Sequence, residues 1–244
     1  MNKSGKTVII TGASRGIGKA LAQAFSASGW TVIVNYNTSA AEAEELCRDI
    51  FNNGGNACSA QADVTDTNAV TKMIEFALKQ YGRIDALINN AGICANSPIA
   101  RMPDDDWDRV IYTDLTGPRN MIRACAPSMI AQNSGNIINI SSVGGIRGLA
   151  GSASYATAKG ALIELTKHAA CELGTNNIGV NAVLPGFHIN GMGSKASEKY
   201  IGAVTEDSVL HTTTDLNELT KFIVMLASTK TVSGQIFNWD SRII

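Results

Sequence analysis

Tyr155 and Lys159 stand four residues apart at the start of a stretch with a helical pattern, Tyr155–Leu173. Residues at this spacing share one face of an α-helix, so the Lys159 ammonium would lie beside the phenol. An unperturbed tyrosine has a pKa near ~10, and a neighbouring positive charge favours the phenolate. The pair therefore suggests general acid–base chemistry near neutral pH, although a YxxxK spacing alone is more often an ordinary exposed helix turn.

Ser142 lies thirteen residues before Tyr155 and directly after a predicted strand, Ile137–Ser141. In open α/β sheets, ligands bind at the carboxyl ends of the strands, which is where this position would lie. A serine hydroxyl there can hold a carbonyl oxygen in place. We therefore take Ser142, Tyr155 and Lys159 as one candidate catalytic group, with an unremarkable loop serine as the alternative for Ser142.

A glycine-rich segment, TGASRGIG at residues 11–18, follows the first predicted strand and opens the first predicted helix. Glycines there permit a tight turn and let the backbone approach a pyrophosphate, while the N–H groups of the helix start face the anion. The spacing is GxxxGxG, and a glycine-rich turn after a strand has about an even chance of being only a turn. The candidate cofactor-binding residues here are Gly12, Ser14, Arg15, Gly16, Ile17 and Gly18.

The end of the second predicted strand indicates which dinucleotide would bind. NAD sites usually place Asp or Glu there for the ribose hydroxyls, whereas the 2′-phosphate of NADP is repelled by a carboxylate and favours Arg. Here the strand ends in Asn35, Tyr36 and Asn37, and Arg15 stands in the glycine turn. This pattern favours NADP(H), with a solvated surface charge as the alternative role for Arg15.

The 244-residue chain has 45% hydrophobic and 17% charged residues, as ordinary globular proteins do. Lys plus Arg (20) nearly equals Asp plus Glu (21), so no basic excess points to nucleic acid. No apolar run is long enough for a membrane span, and the amino terminus does not resemble a signal peptide. Five scattered cysteines without a CxxC pair suggest reduced thiols. We expect a cytoplasmic protein with no metal and no nucleic-acid or membrane partner.

Short β-branched runs alternate with longer helical patterns along the whole chain. Consecutive apolar residues such as VII and VIV are typical of strands covered on both faces of a parallel sheet. We therefore predict one domain, residues 1–244, with a doubly wound α/β fold: a parallel sheet of about seven strands with helices on both faces. The predicted strands are Thr7–Thr11, Thr31–Asn35, Ala57–Ala60, Ala86–Asn89, Ile137–Ser141, Val180–Val183 and Gln235–Trp239. The predicted helices include Lys19–Ser28, Ala40–Phe51, Thr67–Tyr81 and Tyr155–Leu173.

Local signals support the phasing of these elements. Ser39 followed by Glu42 predicts a capping box, and Gly29 and Gly82 stand where helix ends favour a positive φ. The least regular stretch is Phe187–Thr214, which is rich in Gly, Ser and Thr. We predict that it is a substrate loop, either a surface loop or a mobile flap over a site.

With these motifs in order, the chain resembles the short-chain dehydrogenase/reductase family over essentially its whole length. Within that family it is similar to the 3-oxoacyl-[acyl-carrier-protein] reductase-like branch through VNYNTSAAEAEEL, GRIDALINNAGI and NAVLPGF. The resemblance implies a Rossmann-type fold and a homotetramer or homodimer built partly through the helix that carries Tyr155. The matching residues are Thr11–Gly18, Asp63-Val64, Asn89-Asn90-Ala91-Gly92, Ser142, Tyr155, Lys159, Asn181 and Pro185-Gly186.

The resemblance also implies a role for each matched position. Tyr155 would give its proton to a carbonyl oxygen as hydride reaches the carbon, and Lys159 would also hydrogen-bond the nicotinamide ribose. The remaining positions would contact other parts of the cofactor: Asp63 and Val64 the adenine, Asn90, Ala91 and Gly92 the ribose side, and Pro185, Gly186 and His188 the nicotinamide.

Four places depart from the family pattern. Asp114 stands where the family usually has the Asn of its catalytic tetrad; it is either tolerated, because that Asn acts largely through its main chain, or it pairs with Lys159 and changes the pH profile. Asn190 replaces the Thr that follows the PG motif, and its amide could substitute for it. Leu210–Thr213 replaces a proline-leucine-glycine-arginine segment, and Phe237–Arg242 replaces a paired-glycine end.

Other residues whose side chains could take part in chemistry are better explained by structural roles. We interpret His188 and His211 as surface or packed residues and Cys94 as a loop residue, since no His partner is evident. Trp107 reads as a packing anchor, and Asp104–Asp106 suits a helix N-terminus.

The leading hypothesis is NADPH-dependent reduction of a ketone to a secondary alcohol, with a 3-oxoacyl thioester or a similar small-molecule or carrier-linked ketone as the substrate and acyl carrier protein as a candidate partner. One alternative is an NAD(P)-dependent secondary-alcohol or sugar dehydrogenase working in the oxidative direction. Another is a cofactor-binding scaffold with little turnover, motivated by Asp114 and the altered C-terminal end.

Overall fold

The computed structural model describes residues 5–189 and 191–244. Strands and helices alternate along the chain, as the sequence pattern predicts. The strands are β1 (Thr7–Ile10), β2 (Thr31–Tyr36), β3 (Asn56–Gln61), β4 (Ala86–Asn89), β5 (Gly135–Ile140), β6 (Ile178–Leu184) and β7 (Ile236–Asn238). The helices are α1 (Gly16–Ala27), α2 (Ala40–Asn52), α3 (Thr67–Tyr81), α4 (Asp104–Ile111), α5 (Gly117–Gln132), α6 (Ala153–Leu173), α7 (Glu198–Asp207) and α8 (Leu216–Leu226).

The seven strands form one sheet in the order β3-β2-β1-β4-β5-β6-β7. Every pairing is parallel, from the β2–β3 edge to the short β6–β7 pairing. The strand order reverses at β1, which pairs with both β2 and β4. This reversal opens a crevice at the carboxyl edge of the sheet, the usual ligand position in such folds.

Apolar residues cover both faces of the sheet because successive strand residues point to opposite sides. In β1, Val8 and Ile10 join a core with α1, α2 and α8, whereas Ile9 joins a second core with α3, α5 and α6. All three side chains are fully buried. The consecutive apolar runs in the sequence therefore reflect a sheet between two helical layers, which confirms the predicted fold class.

The ends of each predicted strand lie within two residues of the ends of the observed strand. Of the predicted features at helix ends, the capping box at Ser39 is wrong. Gly29 and Gly82 have φ of 81° and 77°, as predicted for helix ends. Ser39, in contrast, makes no side-chain capping hydrogen bond at the start of α2. Its ψ of 64° is neither helical nor extended, so the reciprocal geometry of a capping box is not formed.

The predicted substrate loop, residues 187–214, contains regular structure that was not predicted, including helix α7. Ser197 caps α7 by accepting a hydrogen bond from the Tyr200 N–H at 3.2 Å, and Val204 is buried. Ser197 followed by Glu198, ahead of apolar residues, was the sequence pattern that could have predicted the start of this helix. The interpretation of this whole segment as irregular is therefore wrong for Glu198–Asp207. Asn190 lies outside the described residues.

The altered C-terminal end packs against its own chain. The Trp239 ring stacks on Phe222 with centroids 4.4 Å apart, and the Trp239 N–H donates to the carbonyl of Leu184 at 2.9 Å. A largely buried ion pair joins Arg242 to Asp240. The C-terminal end is therefore packed in place by contacts of its own side chains and backbone.

Within the described part of the chain, no helix is both long enough and apolar enough to cross a membrane.

Candidate active site

Ser142, Tyr155 and Lys159 come together at the carboxyl edge of the sheet. Ser142 follows β5 and caps a short 3-10 turn, Val143–Gly145, by accepting a hydrogen bond from the Gly144 N–H at 3.1 Å. Helix α6 begins at Ala153 and presents Tyr155 and Lys159 on one face, with the Lys159 Nζ 5.6 Å from the centre of the Tyr155 ring. The proximity predicted from the spacing of these residues is present in the structure.

Lys159 is buried, with 4% of its surface exposed, and its ammonium contacts two protein groups. Nζ donates to the carbonyl of Ile140, the last residue of β5, at 3.0 Å. Nζ also lies 3.2 Å from Oδ2 of Asp114, which is fully buried. This second contact is an ion pair without hydrogen-bond alignment, because Oδ2 has no well-directed donor among the described residues.

Asp114 lies in a π-helical turn, Tyr112–Thr116, between α4 and α5. Its other oxygen, Oδ1, accepts a hydrogen bond from the Ile93 N–H at 2.8 Å. A Cβ on Gly92 would stand 2.7 Å from Oδ2, so only glycine leaves room for the carboxylate. Of the two roles considered for Asp114, the structure shows the pairing with Lys159.

Burial and charge shift the proton affinities of this group. Burial raises the pKa of Tyr155; Lys159 and the Ser142 hydroxyl lower it, and Asp114 raises it further. Lys159 thus favours the phenolate, as expected, but burial outweighs it and the net pKa of Tyr155 lies above its ordinary value. Burial lowers the pKa of Lys159, but Asp114 and Tyr155 outweigh it, and the net pKa is raised. Lys159 is therefore an ammonium at neutral pH.

Helix α6 is fixed against the loop after β5 by contacts that were not predicted from the sequence. The Ser141 hydroxyl donates to the Lys159 carbonyl at 2.8 Å. A Cβ on Gly145 would stand 2.7 Å from the backbone N of Gly160, so the 3-10 turn and α6 meet backbone to backbone. Gly160, which follows Lys159, and the pair Gly144-Gly145 could have indicated in the sequence that two backbone segments approach closely here.

The glycine turn between β1 and α1 has the conformation that a phosphate site needs. Gly12 and Gly16 have φ of 60° and 59°, and a Cβ on Gly12 would stand 2.9 Å from the Cα of Ala91. Because α1 begins at Gly16, the first N–H groups of the helix have no acceptor within it. The turn therefore has a geometry compatible with a bound anion, and the phosphate site stays a prediction.

Asn90 holds this turn in place, where the resemblance implied a ribose contact. Its side-chain N–H groups donate to the carbonyls of Thr11 at 2.9 Å and Gly12 at 3.1 Å. The Thr11 hydroxyl accepts from the N–H groups of Asn90 and Ala91, both at 2.9 Å. These bonds connect the carboxyl ends of β1 and β4 across the crevice.

The residues after β2 differ in how accessible they are. Asn35 is buried, and its amide donates to the carbonyls of Ala60 and Ala62, so it positions the strand end. Tyr36 is half-buried, and Asn37 and Arg15 are exposed. The Asn37 amide donates to Asp63 Oδ2 at 2.9 Å. The side chains of Arg15 and Tyr36 are thus accessible to a ligand, whereas the Asn35 side chain is bonded to backbone carbonyls.

Other predicted contacts lie along the same edge. Val64 is buried, and its carbonyl accepts from the Asn120 amide at 3.1 Å. His188 is buried, and its Nε2 donates to the Pro185 carbonyl at 2.8 Å. Burial lowers the pKa of His188, so it is neutral at neutral pH. Gly186 has a φ of 78° at the tight turn that follows Pro185.

Cys94 lies beside the proton-transfer group. Burial raises the pKa of the Cys94 thiol, Asp114 raises it further, and Lys159 lowers it. Its Sγ donates to Oδ1 of Asn96 at 3.0 Å. A raised pKa disfavours the reactive thiolate, which agrees with a loop residue. His211 and Trp107 lie outside this group, and the described residues contain no cluster of three metal-ligating side chains.

Comparison with known proteins places this site in a family. A family model described as short chain dehydrogenase matches residues 6–201. The 3-oxoacyl-[acyl-carrier-protein] reductase of Staphylococcus aureus is 42% identical over 197 residues, which cover 81% of this chain and 80% of the relative. The corresponding reductase of Thermotoga maritima is 37% identical over 246 residues and covers 100% of both chains.

Solved structures share the fold. A candidate gluconate dehydrogenase from Agrobacterium tumefaciens matches with a TM-score of 0.92 at 29% identity, covering 98% of this chain and 96% of that one. A variant of actinorhodin polyketide ketoreductase with NADPH also matches with a TM-score of 0.92, at 24% identity, covering 98% and 97%. The second likeness bears on the fold alone. The chain belongs to the short-chain dehydrogenase family and is an oxidoreductase.

Proposed function

We propose that this protein is an NADPH-dependent reductase that converts the ketone of a 3-oxoacyl thioester, presented on acyl carrier protein, to a secondary alcohol. The observation that carries this proposal is the Ser142, Tyr155 and Lys159 group beside a glycine turn that bears Arg15. Two relatives that match over most of their length have names for this reaction.

In the proposed mechanism, the residues of the chain handle the oxygen and the proton. Bound NADPH would supply the hydride to the carbonyl carbon. The Ser142 hydroxyl donates a hydrogen bond to the carbonyl oxygen and orients it towards Tyr155. The Tyr155 phenol gives its proton to that oxygen as the alcohol forms, and the Lys159 ammonium stabilises the phenolate that remains.

The cofactor assignment depends on the residues that remain accessible at the end of β2. The described structure has an exposed Arg15 and a side chain without charge at each of Asn35, Tyr36 and Asn37. A 2′-phosphate would gain a charge-assisted hydrogen bond from the guanidinium and meet no carboxylate at these positions.

Replacing Arg15 with Glu should therefore weaken NADPH binding by about 10–100-fold, the worth of roughly 1.5–3 kcal/mol for hydrogen bonds to a charged group. NADH affinity should change by less than about threefold, since NADH lacks the 2′-phosphate. Fluorescence titration of each nucleotide measures both constants. Lys72→Glu on the exposed face of α3 makes the same change in charge away from the turn. Equal losses for NADPH and NADH, or an equal loss in Lys72→Glu, would contradict the assignment.

The substrate class is tested by NADPH oxidation with carrier-linked 3-oxoacyl chains, CoA-linked 3-oxoacyl chains, simple ketones and quinones. Turnover that is fastest with the carrier-linked chain supports the proposal. Tight NADPH binding without turnover on any of them would leave a cofactor-binding scaffold as the better interpretation.

A second candidate function is oxidation of a sugar acid or another secondary alcohol. It is favoured by the 29% identical structural relative described as a candidate gluconate dehydrogenase. Reduction of NADP⁺ or NAD⁺ in the presence of gluconate, with no activity on 3-oxoacyl chains, would select it.

A further inference from the structure

The ammonium of Lys159 is held by two protein groups. It donates to the carbonyl of Ile140, and it also lies 3.2 Å from the fully buried Oδ2 of Asp114 in an ion pair. The buried carboxylate is therefore the one counter-ion that the described structure shows in contact with Lys159.

Asp114 is itself held by contacts from the loop after β4. Oδ1 accepts the Ile93 N–H, and the missing side chain of Gly92 gives Oδ2 its space. The π-helical turn Tyr112–Thr116 inserts an extra residue per turn at this position, a distortion often found at functional sites. The local backbone is therefore shaped to accommodate a carboxylate at this position.

The charged and titratable groups around Tyr155 come from three elements. Lys159 lies on the same helix, Asp114 on the π-helical turn, and Cys94 on the loop after β4. Lys159 favours the phenolate, whereas Asp114 and Cys94 favour the phenol. Because Cys94 is neutral at neutral pH, the fixed charges that oppose each other are those of Lys159 and Asp114.

We propose that Asp114 is a positioning residue that acts through Lys159: its carboxylate holds the ammonium beside Tyr155 and so favours the protonated phenol as the working state of the site. This inference rests on the proposed function, because it concerns the proton-transfer step. In this role Asp114 favours Tyr155 in its protonated form, which is the form that ketone reduction requires.

The direction of the pH effect follows from the charge. Asp114 raises the pKa of both Tyr155 and Lys159, so an uncharged residue lowers both. Reduction needs the phenol, and its rate falls as pH rises through the pKa of Tyr155. Oxidation needs the phenolate, and its rate rises over the same range. Removing the carboxylate should therefore shift both profiles to lower pH and raise the oxidation rate at neutral pH relative to the reduction rate.

The experiment compares kcat–pH profiles of Asp114→Asn and Asp114→Ala with the wild type, in both reaction directions. Asp114→Ala is included because the Asn amide must place a donor against either Lys159 or the Ile93 N–H. Asp85→Asn is the matched control: Asp85 is also buried and paired, with Arg83, but it precedes β4 at the opposite edge of the sheet. A shift to lower pH in both Asp114 variants, with none in Asp85→Asn, supports the proposal. Unshifted profiles with a uniform loss of rate overturn it.

A direct titration separates this inference from the proposed function. The ultraviolet absorbance of tyrosinate, taken as the difference between each protein and its Tyr155→Phe counterpart, reports the Tyr155 proton without turnover. We expect the midpoint of this titration to lie at lower pH in Asp114→Asn than in the wild type. An unchanged midpoint overturns the role of Asp114 even if the enzyme reduces ketones. A shifted midpoint in a protein without ketone reduction preserves it and removes only the proposed reaction.

Discussion

Tyr155→Phe should lower the rate of ketone reduction by about 10²–10⁴-fold, the usual contribution of a positioned general acid. Phenylalanine keeps the ring that packs at the start of α6 but has no proton to give to the carbonyl oxygen. NADPH binding should stay within about twofold of wild type, because in the described structure the glycine turn and the end of β2 are formed without Tyr155. Single-turnover NADPH oxidation measures the rate, and fluorescence titration measures the binding.

Tyr81→Phe provides the control for this prediction. Tyr81 is also partly buried, but it ends α3, away from the carboxyl-edge site. It should keep both rate and binding. A Tyr155→Phe variant with more than about a tenth of the wild-type rate would show that another group supplies the proton, and the role assigned to Tyr155 would then be wrong.

Lys159→Met should cost about 3–5 kcal/mol of the free energy of unfolding at neutral pH, besides abolishing activity. The reason is that methionine fills the space but leaves the fully buried Asp114 carboxylate without a counter-ion. Chemical denaturation of the variant and the wild type measures the difference. The double variant Lys159→Met with Asp114→Asn should recover most of this loss while staying inactive, since no buried charge remains.

The pH dependence of that loss provides a second check. Burial raises the pKa of Asp114, and Lys159 opposes the rise, so removing Lys159 raises it further. A folded-state pKa above the unfolded value means that stability is retained in acid and lost as pH rises through the folded value. The stability gap between Lys159→Met and the wild type should therefore narrow towards mildly acidic pH. A gap that is constant with pH would indicate lost packing instead of an unpaired carboxylate.

Local sequence patterns were sufficient to predict the parallel sheet and most of the helices around it. The apolar runs of β1 and β2 lie between two layers of helices, so nearly every residue in them is buried, and that composition is visible in the sequence. Tyr155 and Lys159 share a face because helical spacing is local. The helix Glu198–Asp207 was missed because only a few of its residues, such as Val204, face the interior.

Contacts between distant segments could not be predicted in the same way. Asp114 and Lys159 are far apart in sequence, and only the folded chain decides whether the carboxylate faces the ammonium or solvent. The net pKa of Tyr155 could not be predicted for the same reason: the charge of Lys159 is visible in the sequence, whereas the burial that outweighs it is not. Asn35 was expected to contact the cofactor, yet its amide is used by the backbone of β3 and the residue that follows it.

The loop Asn90–Ile93 has a consequence for anyone who redesigns this enzyme. Asn90 holds the glycine turn, and Ile93 holds Asp114, so one short segment supports both the cofactor turn and the proton-transfer group. Neighbouring residues in one segment are where energetic effects often fail to add. We therefore expect a substitution within this segment to change cofactor binding and the catalytic pH range together.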